Sequence, residues 1–243
     1  MIPVFRWEAP GPYDVAFSTR LGGISEGPFE SLNLGILAGD EPTSVVENRR
    51  RLCEKIGADP DRATMLWQQH GSGVVRAPDD RGVMTAGFDH PSGDALWTDE
   101  PGLAMMLITA DCLPVAVARA NGGRPALAVL HVGWRGLLEG IAATALAPLA
   151  NGRLEAVIGP GIGPCCYEVG EEVATPFRER FGADVLHGRN LDLYGATEKA
   201  LLAAGCARVE RVEMCTSCHP DLFFSHRRDG ARTGRQGIVA RVR

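Results

Sequence analysis

Unbroken apolar runs of five or six residues recur along this chain, and each one stops at a turn. They cover residues 103–108, 114–118 and 126–130, and residues 154–158, broken only by Glu155, read as another strand. Runs of that length bounded by turn signals predict strands buried on both faces. The chemistry-bearing residues stand where the runs stop. Asp111 and Cys112 fill the turn between the first two runs, and His131 directly follows the third. Upstream, residues 63–69 form a further run that closes on His70, just before Gly71-Ser72-Gly73. A rigid strand fixes the side chain at its end. His70, Cys112 and His131 are therefore expected to converge on one open metal site.

Helical periodicity fills the intervals. Residues 44–56 place Val45, Val46, Arg49, Leu52, Cys53 and Ile56 on one face, with Ser44 and Glu47 at capping-box spacing and Gly57 as the stop. Cys53 on that stripe reads as a small core residue. After His131, Gly133-Trp134-Arg135-Gly136 predicts a strand-to-helix turn, and an apolar helical face follows from Leu137 to Leu149. Parts of 171–181 and 192–204 also read as helix, with Gly205 ending the second and Pro176 blurring the first. Residues 26–40 and 76–99 are turn-rich and read as loop, with 93–98 leading into the central strand at 103–108.

Composition narrows the class. The chain has 243 residues, 45% of them hydrophobic and 23% charged, which is enough for a full globular core. Its formal net charge of -5 gives no support for binding bulk nucleic acid or an anionic membrane. No apolar run approaches the roughly 18 residues of a membrane span. The first residues lack the charged lead and apolar core of a secretory signal. Seven cysteines, an odd number in a chain too long to need staples, read as reduced thiols in a cytoplasmic protein.

Several further positions carry candidate chemistry. Arg20 precedes the Leu21-Gly22-Gly23 turn, where the plain reading is a surface guanidinium. The helix start after Gly133 favours an anion, with Arg135 beside it. Its glycine spacing matches neither a phosphate loop nor a dinucleotide fingerprint. Residues 159–164 are rich in Gly and Pro, as expected of backbone passing close to something. From Arg227 to the end there are six arginines against a single aspartate, and Arg227 and Arg228 suit bidentate phosphate contacts. Cys215-Thr216-Ser217-Cys218-His219 matches a haem attachment pattern, discounted for want of an export signal. A zinc ribbon would need a second spaced cysteine pair, which the adjacent Cys165 and Cys166 do not supply. His90, next to Pro91 in a loop, reads as solvated, and His187, in a polar linker, reads as incidental.

Six segments in order resemble one family. They are Gln69-His70-Gly71, Thr109-Ala110-Asp111-Cys112-Leu113-Pro114 and His131-Val132-Gly133-Trp134-Arg135-Gly136. Ile158-Gly159-Pro160-Gly161-Ile162-Gly163, Tyr167-Glu168-Val169-Gly170 and Phe224-Ser225-His226-Arg227-Arg228-Asp229 follow. The family is the bacterial laccase-domain proteins, once labelled multicopper polyphenol oxidases and now regarded as purine nucleoside phosphorylases. Some members are also named peptidoglycan editing factors. The likeness runs from about Phe17 to Gln236. It implies one domain over 1–243, an α/β/β/α sandwich with mixed β-sheets. It also implies a zinc ion on His70, Cys112 and His131, and phosphorolysis of adenosine, inosine and methylthioadenosine with some adenosine deamination. The partners would then be a nucleoside and phosphate, with the chain acting as a monomer or a homodimer.

Phosphate requires a cationic subsite, for which Arg20, Arg135, Arg227 and Arg228 are the candidates. Asp94, Asp111 and Glu168 are open alternatives for protonating the leaving purine or steadying the ribose. Copper fits less well than zinc. A multicopper oxidase needs many histidines, and this chain has six with no His-X-His pair. Two rival readings remain. In one, Cys112 is a nucleophile with His131 as its base, giving an amide or peptidoglycan-precursor hydrolase. In the other, the chain is a non-catalytic metal-binding or interaction module.

Overall fold

The unbroken apolar runs lie in strands whose two faces are both covered. In the computed structural model, which describes residues 2–77 and 90–243, the strands are β1 (Val4–Trp7), β2 (Tyr13–Ser18), β3 (Ala63–Thr64), β4 (Val74–Arg76), β5 (Ala95–Thr98), β6 (Ala104–Thr109), β7 (Leu113–Asn121), β8 (Leu127–Val132), β9 (Arg153–Ile158), β10 (Leu186–His187), β11 (Asn190–Leu191), β12 (Cys206–Arg211) and β13 (Gln236–Val242). The helices are α1 (Pro42–Lys55), α2 (Trp134–Glu139), α3 (Ile141–Leu146), α4 (Glu171–Phe181), α5 (Leu193–Ala203) and α6 (His226–Asp229). One mixed sheet has five strands in the order β1-β2-β13-β6-β3, and the other has six in the order β12-β9-β7-β8-β5-β4. β10 and β11 form a separate hairpin.

Side-chain alternation sorts each strand's residues between layers. In β8, Leu127 and Val129 enter the core between the two sheets, whereas Ala128, Leu130 and Val132 pack with α2, α3 and α5. In β6, Met105 and Leu107 face the other sheet, while Ala104 and Met106 pack with α1. The result is the expected α/β/β/α stack with mixed sheets. His131 takes the position after Leu127 and Val129 on the inter-sheet face of β8, where an apolar residue would continue the pattern. The site therefore lies at one end of the gap between the sheets.

Three local expectations are corrected. First, residues 63–69 are not one strand. Only Ala63 and Thr64 pair with β6, and the Gln68 side chain then replaces backbone pairing. Its amide nitrogen donates to Ile108 O at 2.8 Å and its oxygen accepts from Ile108 N at 2.9 Å. His70 therefore ends a loop rather than a strand. Second, α1 starts at Pro42 with Glu41 as N-cap and no side-chain cap, so Ser44 and Glu47 form no capping box. Glu47 instead pairs with Arg50 and Arg51. Third, the apolar helical face after His131 is divided. Gly140, at φ 91°, ends α2 and starts α3. The turn-rich reading of 76–99 lies partly outside the described residues, at 78–89.

Candidate active site

Two backbone strains bracket the site. His70 and Asp111 are the two non-glycine residues with positive φ among those described, at 61° and 89°. Such conformations cost on the order of 1–3 kcal/mol and persist where surrounding contacts enforce them. For His70 the enforcer is Asp94, which is only 1% exposed. Its carboxylate accepts from the backbone N–H groups of Gln69, His70 and Gly71, at 3.1, 2.9 and 2.7 Å to the nearer oxygen. For Asp111 the enforcers are Thr216, whose hydroxyl donates at 2.6 Å, and the Arg227 N–H, which donates at 2.7 Å.

Between these anchors stand His70, Cys112 and His131, whose donor atoms all lie within 4.8 Å of one another. The two imidazole rings meet edge-on, with centroids 4.7 Å apart. His131 is buried, Cys112 half-buried and His70 exposed, so the group opens on one side. Asp94 Oδ1 lies 2.8 Å from His131 Nδ1. With the carboxylate as acceptor, Nδ1 carries the proton and Nε2 is left as the ligating nitrogen. Two imidazoles and a thiolate with one side open fit zinc, and with a weak fourth ligand they also fit copper.

Charge is concentrated here. Burial opposes ionisation of the Cys112 thiol, but His131 and His70 outweigh it and draw it down to about 6. Burial likewise disfavours the His131 imidazolium, while Cys112 and Asp94 outweigh that and lift it to about 9. A proton on His131 thus occupies the place that a cation would take. Close packing shapes the remaining wall. A Cβ on Gly133 would stand 3.1 Å from Cys112 Sγ, and one on Gly136 would stand 2.4 Å from Gly71 O.

A cavity of about 580 Å³ opens over the three donors. Its wall includes Trp67, Trp134 and Tyr167 as aromatic surfaces, with Asp111, His226, Arg227 and Arg235 as polar ones. Of the four arginines predicted from sequence, Arg227 alone is on this wall. Its guanidinium lies 5.3 Å over Tyr167 and donates to Glu168 O at 2.8 Å. Arg20 donates to Glu30 O and Pro220 O and stacks on Phe224. Arg228 donates to Thr216 O, Phe223 O and the Asp229 carboxylate. Both hold loops together. Arg135 is exposed and lies over Trp134, and α2 behind it is only six residues long. Of the three carboxylates, Asp111 lines the cavity, Asp94 is buried behind His131, and Glu168 is exposed and paired with Arg189. Arg235 was missed as a site residue because its motif, Thr233-Gly234-Arg235-Gln236, reads as the run-up to a strand. Burial lowers its pKa, and its guanidinium donates to Thr233 O and Gly234 O.

The cysteine motif also needs correction. Cys165 and Cys166 do come together with Cys215 and Cys218, the four sulfurs lying within 4.8 Å of one another.

Residues 14–243 match the family model described as multi-copper polyphenol oxidoreductase laccase. The chain belongs to that family. It is 39% identical over 237 residues to purine nucleoside phosphorylase YlmD of Geobacillus stearothermophilus, covering 90% of this chain and 86% of the relative. It is 38% identical to a purine nucleoside phosphorylase of Pseudomonas aeruginosa, covering 94% and 93%. Among solved structures, YlmD from Geobacillus stearothermophilus superposes with a TM-score of 0.86 at 34% identity, covering 98% and 94%. The Bacillus licheniformis hypothetical protein YfiH does so with a TM-score of 0.86 at 30% identity, covering 97% and 98%. No helix among the described residues is long and apolar enough to cross a membrane.

Proposed function

We propose that this chain is a zinc-dependent purine nucleoside phosphorylase acting on adenosine, inosine and methylthioadenosine, with a side activity as an adenosine deaminase. The observation that carries the reading is one cavity holding a two-imidazole, one-thiolate group, three arginines (Arg49, Arg227 and Arg235) and three aromatic rings. Its volume falls in the range of roughly 300–1,000 Å³ usual for small-molecule sites. Relatives named purine nucleoside phosphorylase support the same chemistry.

His70, Cys112 and His131 would hold the ion, zinc being favoured by the donor set and by the shortage of histidines for several coppers. When bound, it supplies fixed positive charge that polarises an oxygen in the cavity. The protein's own groups do the rest. Arg227 and Arg235 bind and orient phosphate, and the Trp67, Trp134 and Tyr167 rings pack against the purine. Asp111, held by Thr216 and the Arg227 N–H, accepts hydrogen bonds from the sugar. A phosphate oxygen forms a bond to the anomeric carbon as the bond to the purine nitrogen breaks. That electron pair leaves with the base, which takes up a proton, giving free purine and ribose 1-phosphate. In the side reaction water adds at C6 of adenosine and ammonia leaves.

Incubation with inosine and phosphate, followed by chromatography for hypoxanthine and ribose 1-phosphate, tests the reading. Phosphate-dependent formation of both products supports it. Absence of both from metal-replete protein overturns it. A second reading draws on the Cys112–His131 charge pair, which is also what a cysteine hydrolase uses. It requires a metal-free protein that is active on amide substrates and killed by iodoacetamide.

A further inference from the structure

The sulfurs of Cys165, Cys166, Cys215 and Cys218 gather outside the cavity, on two segments far apart in sequence. Cys165 and Cys166 follow the Gly-Pro stretch after β9, and Cys215 and Cys218 follow β12. Cys218 Sγ lies 3.4 Å from Cys165 Sγ and 3.4 Å from Cys166 Sγ. We propose that these four cysteines form a second metal site, a closed tetrathiolate centre for a zinc-class divalent ion that fastens one wall of the cavity. The inference concerns metal binding alone and does not depend on the reaction proposed above.

Geometry supports a metal over the alternatives. A tetrahedron with zinc–sulfur bonds of about 2.3 Å has edges of about 3.8 Å, and here two sulfur separations are 3.4 Å and all lie within 4.8 Å. Disulfides would need sulfurs about 2 Å apart and would join the cysteines in pairs, whereas Cys218 approaches both Cys165 and Cys166 alike. Four thiols facing one another gain little, since S–H is a weak donor. Four thiolates repel unless a cation sits among them.

The backbone is shaped for the purpose. Cys218 N–H donates to Cys215 O at 3.1 Å, closing the turn that points both thiols one way. Cys166 N–H donates to Gly163 O at 3.0 Å and makes a similar turn on the other segment. Gly163 leaves the room between them, because a Cβ there would stand 3.3 Å from Cys215 Cβ and 3.4 Å from Cys165 Sγ. With four protein donors no position stays open, so the centre is structural. Binding releases the thiol protons to solvent.

Its position explains what it would fasten. Tyr167, on the cavity wall, directly follows Cys166, and Thr216, which donates to Asp111, directly follows Cys215. Arg228 donates to Thr216 O, tying the same segment to α6.

Metal-stripped, reduced full-length protein titrated with cobalt(II) and, separately, with zinc tests the proposal. The wild type should bind about two ions per chain, and Cys112→Ser and Cys218→Ser about one each, as expected for one open and one closed site. Cobalt-loaded Cys112→Ser should show the intense thiolate-to-cobalt bands of a tetrahedral tetrathiolate. That variant keeps all four cysteines of the cluster, so the result does not depend on whether a cluster variant folds. Loss of all metal from Cys112→Ser overturns the proposal. So does recovery of a disulfide between Cys218 and Cys165 or Cys166 from protein kept in mild reductant.

Discussion

Asp94 Oδ1 lies 2.8 Å from His131 Nδ1, and both side chains are almost wholly excluded from water. The same carboxylate holds the loop that carries His70, so one buried residue positions two of the three donors. Asp94→Asn removes the charge and one acceptor oxygen while nearly keeping the shape. Its zinc affinity should fall about 10- to 100-fold, the usual cost of losing such a partner. Competition with a chromophoric chelator reads this directly, and an unchanged affinity would count against the assigned role.

Acid stability gives a second reading of Asp94. Burial pushes its carboxyl up, but the donors from His131, Gly71 and Gln69 outweigh it and hold it below the usual range. A carboxyl lowered on folding contributes stability above its unfolded pKa, about 4, and loses it as pH falls through the folded value. Metal-free wild type should therefore lose stability below about pH 4, and Asp94→Asn should flatten that part of the curve. Denaturant melts across this range make the comparison.

Cys112 should be unusually reactive once the metal is gone. With its thiol drawn down to about 6, iodoacetamide alkylation of chelator-treated protein should rise through that pH and level off above it. An ordinary thiol rises near 8.5. Zinc should protect it. Mapping the labelled peptide against pH checks both statements.

Two glycines test the packing around the donors. Gly133 has φ -97°, so alanine fits its backbone, yet the added carbon would meet Cys112 Sγ at 3.1 Å. Gly133→Ala should leave folding largely intact and weaken zinc about tenfold or more, or about 1.4 kcal/mol. In Gly136→Ala the added carbon meets the Gly71 carbonyl, which cannot turn aside as a side chain would. That change should destabilise the fold by about 1–3 kcal/mol. Thermal melts and zinc titrations should rank the two variants in opposite order.

The arginines separate the cavity wall from its frame. Arg227→Ala or Arg235→Ala should lower kcat/KM for phosphate by about 10- to 100-fold, or about 1.4–2.8 kcal/mol. Arg135→Ala, at an exposed position away from the wall, should change it little. Steady-state kinetics with phosphate varied would show the difference, and equal effects at all three positions would contradict the assignment.

The layers were legible because β6, β7, β8 and β9 are buried along most of their length, leaving largely apolar runs in which a polar residue stands out. His131 was visible for that reason, as was Cys112 in the turn between two such runs. His70 was expected to end a strand and instead ends a loop, because the Gln68 side chain takes over the pairing with β6. The functions of Arg20, Arg135 and Arg228 were not legible. Whether a guanidinium faces a cavity or ties two loops depends on carbonyls distant in sequence, such as Pro220 O for Arg20. The four-cysteine group was hidden for a similar reason. Spacing rules expect paired cysteines on each segment, and only the folded turn at Gly163 shows that adjacent ones serve.

The most direct measurement is the initial rate of inosine phosphorolysis as zinc is restored to metal-stripped Cys218→Ser protein, whose remaining ion would sit on His70, Cys112 and His131. If phosphorolysis needs that ion, the rate is near zero without metal, climbs in proportion to occupancy and stops at about one ion per chain. A stripped protein that already turns over inosine at the full rate would contradict that requirement.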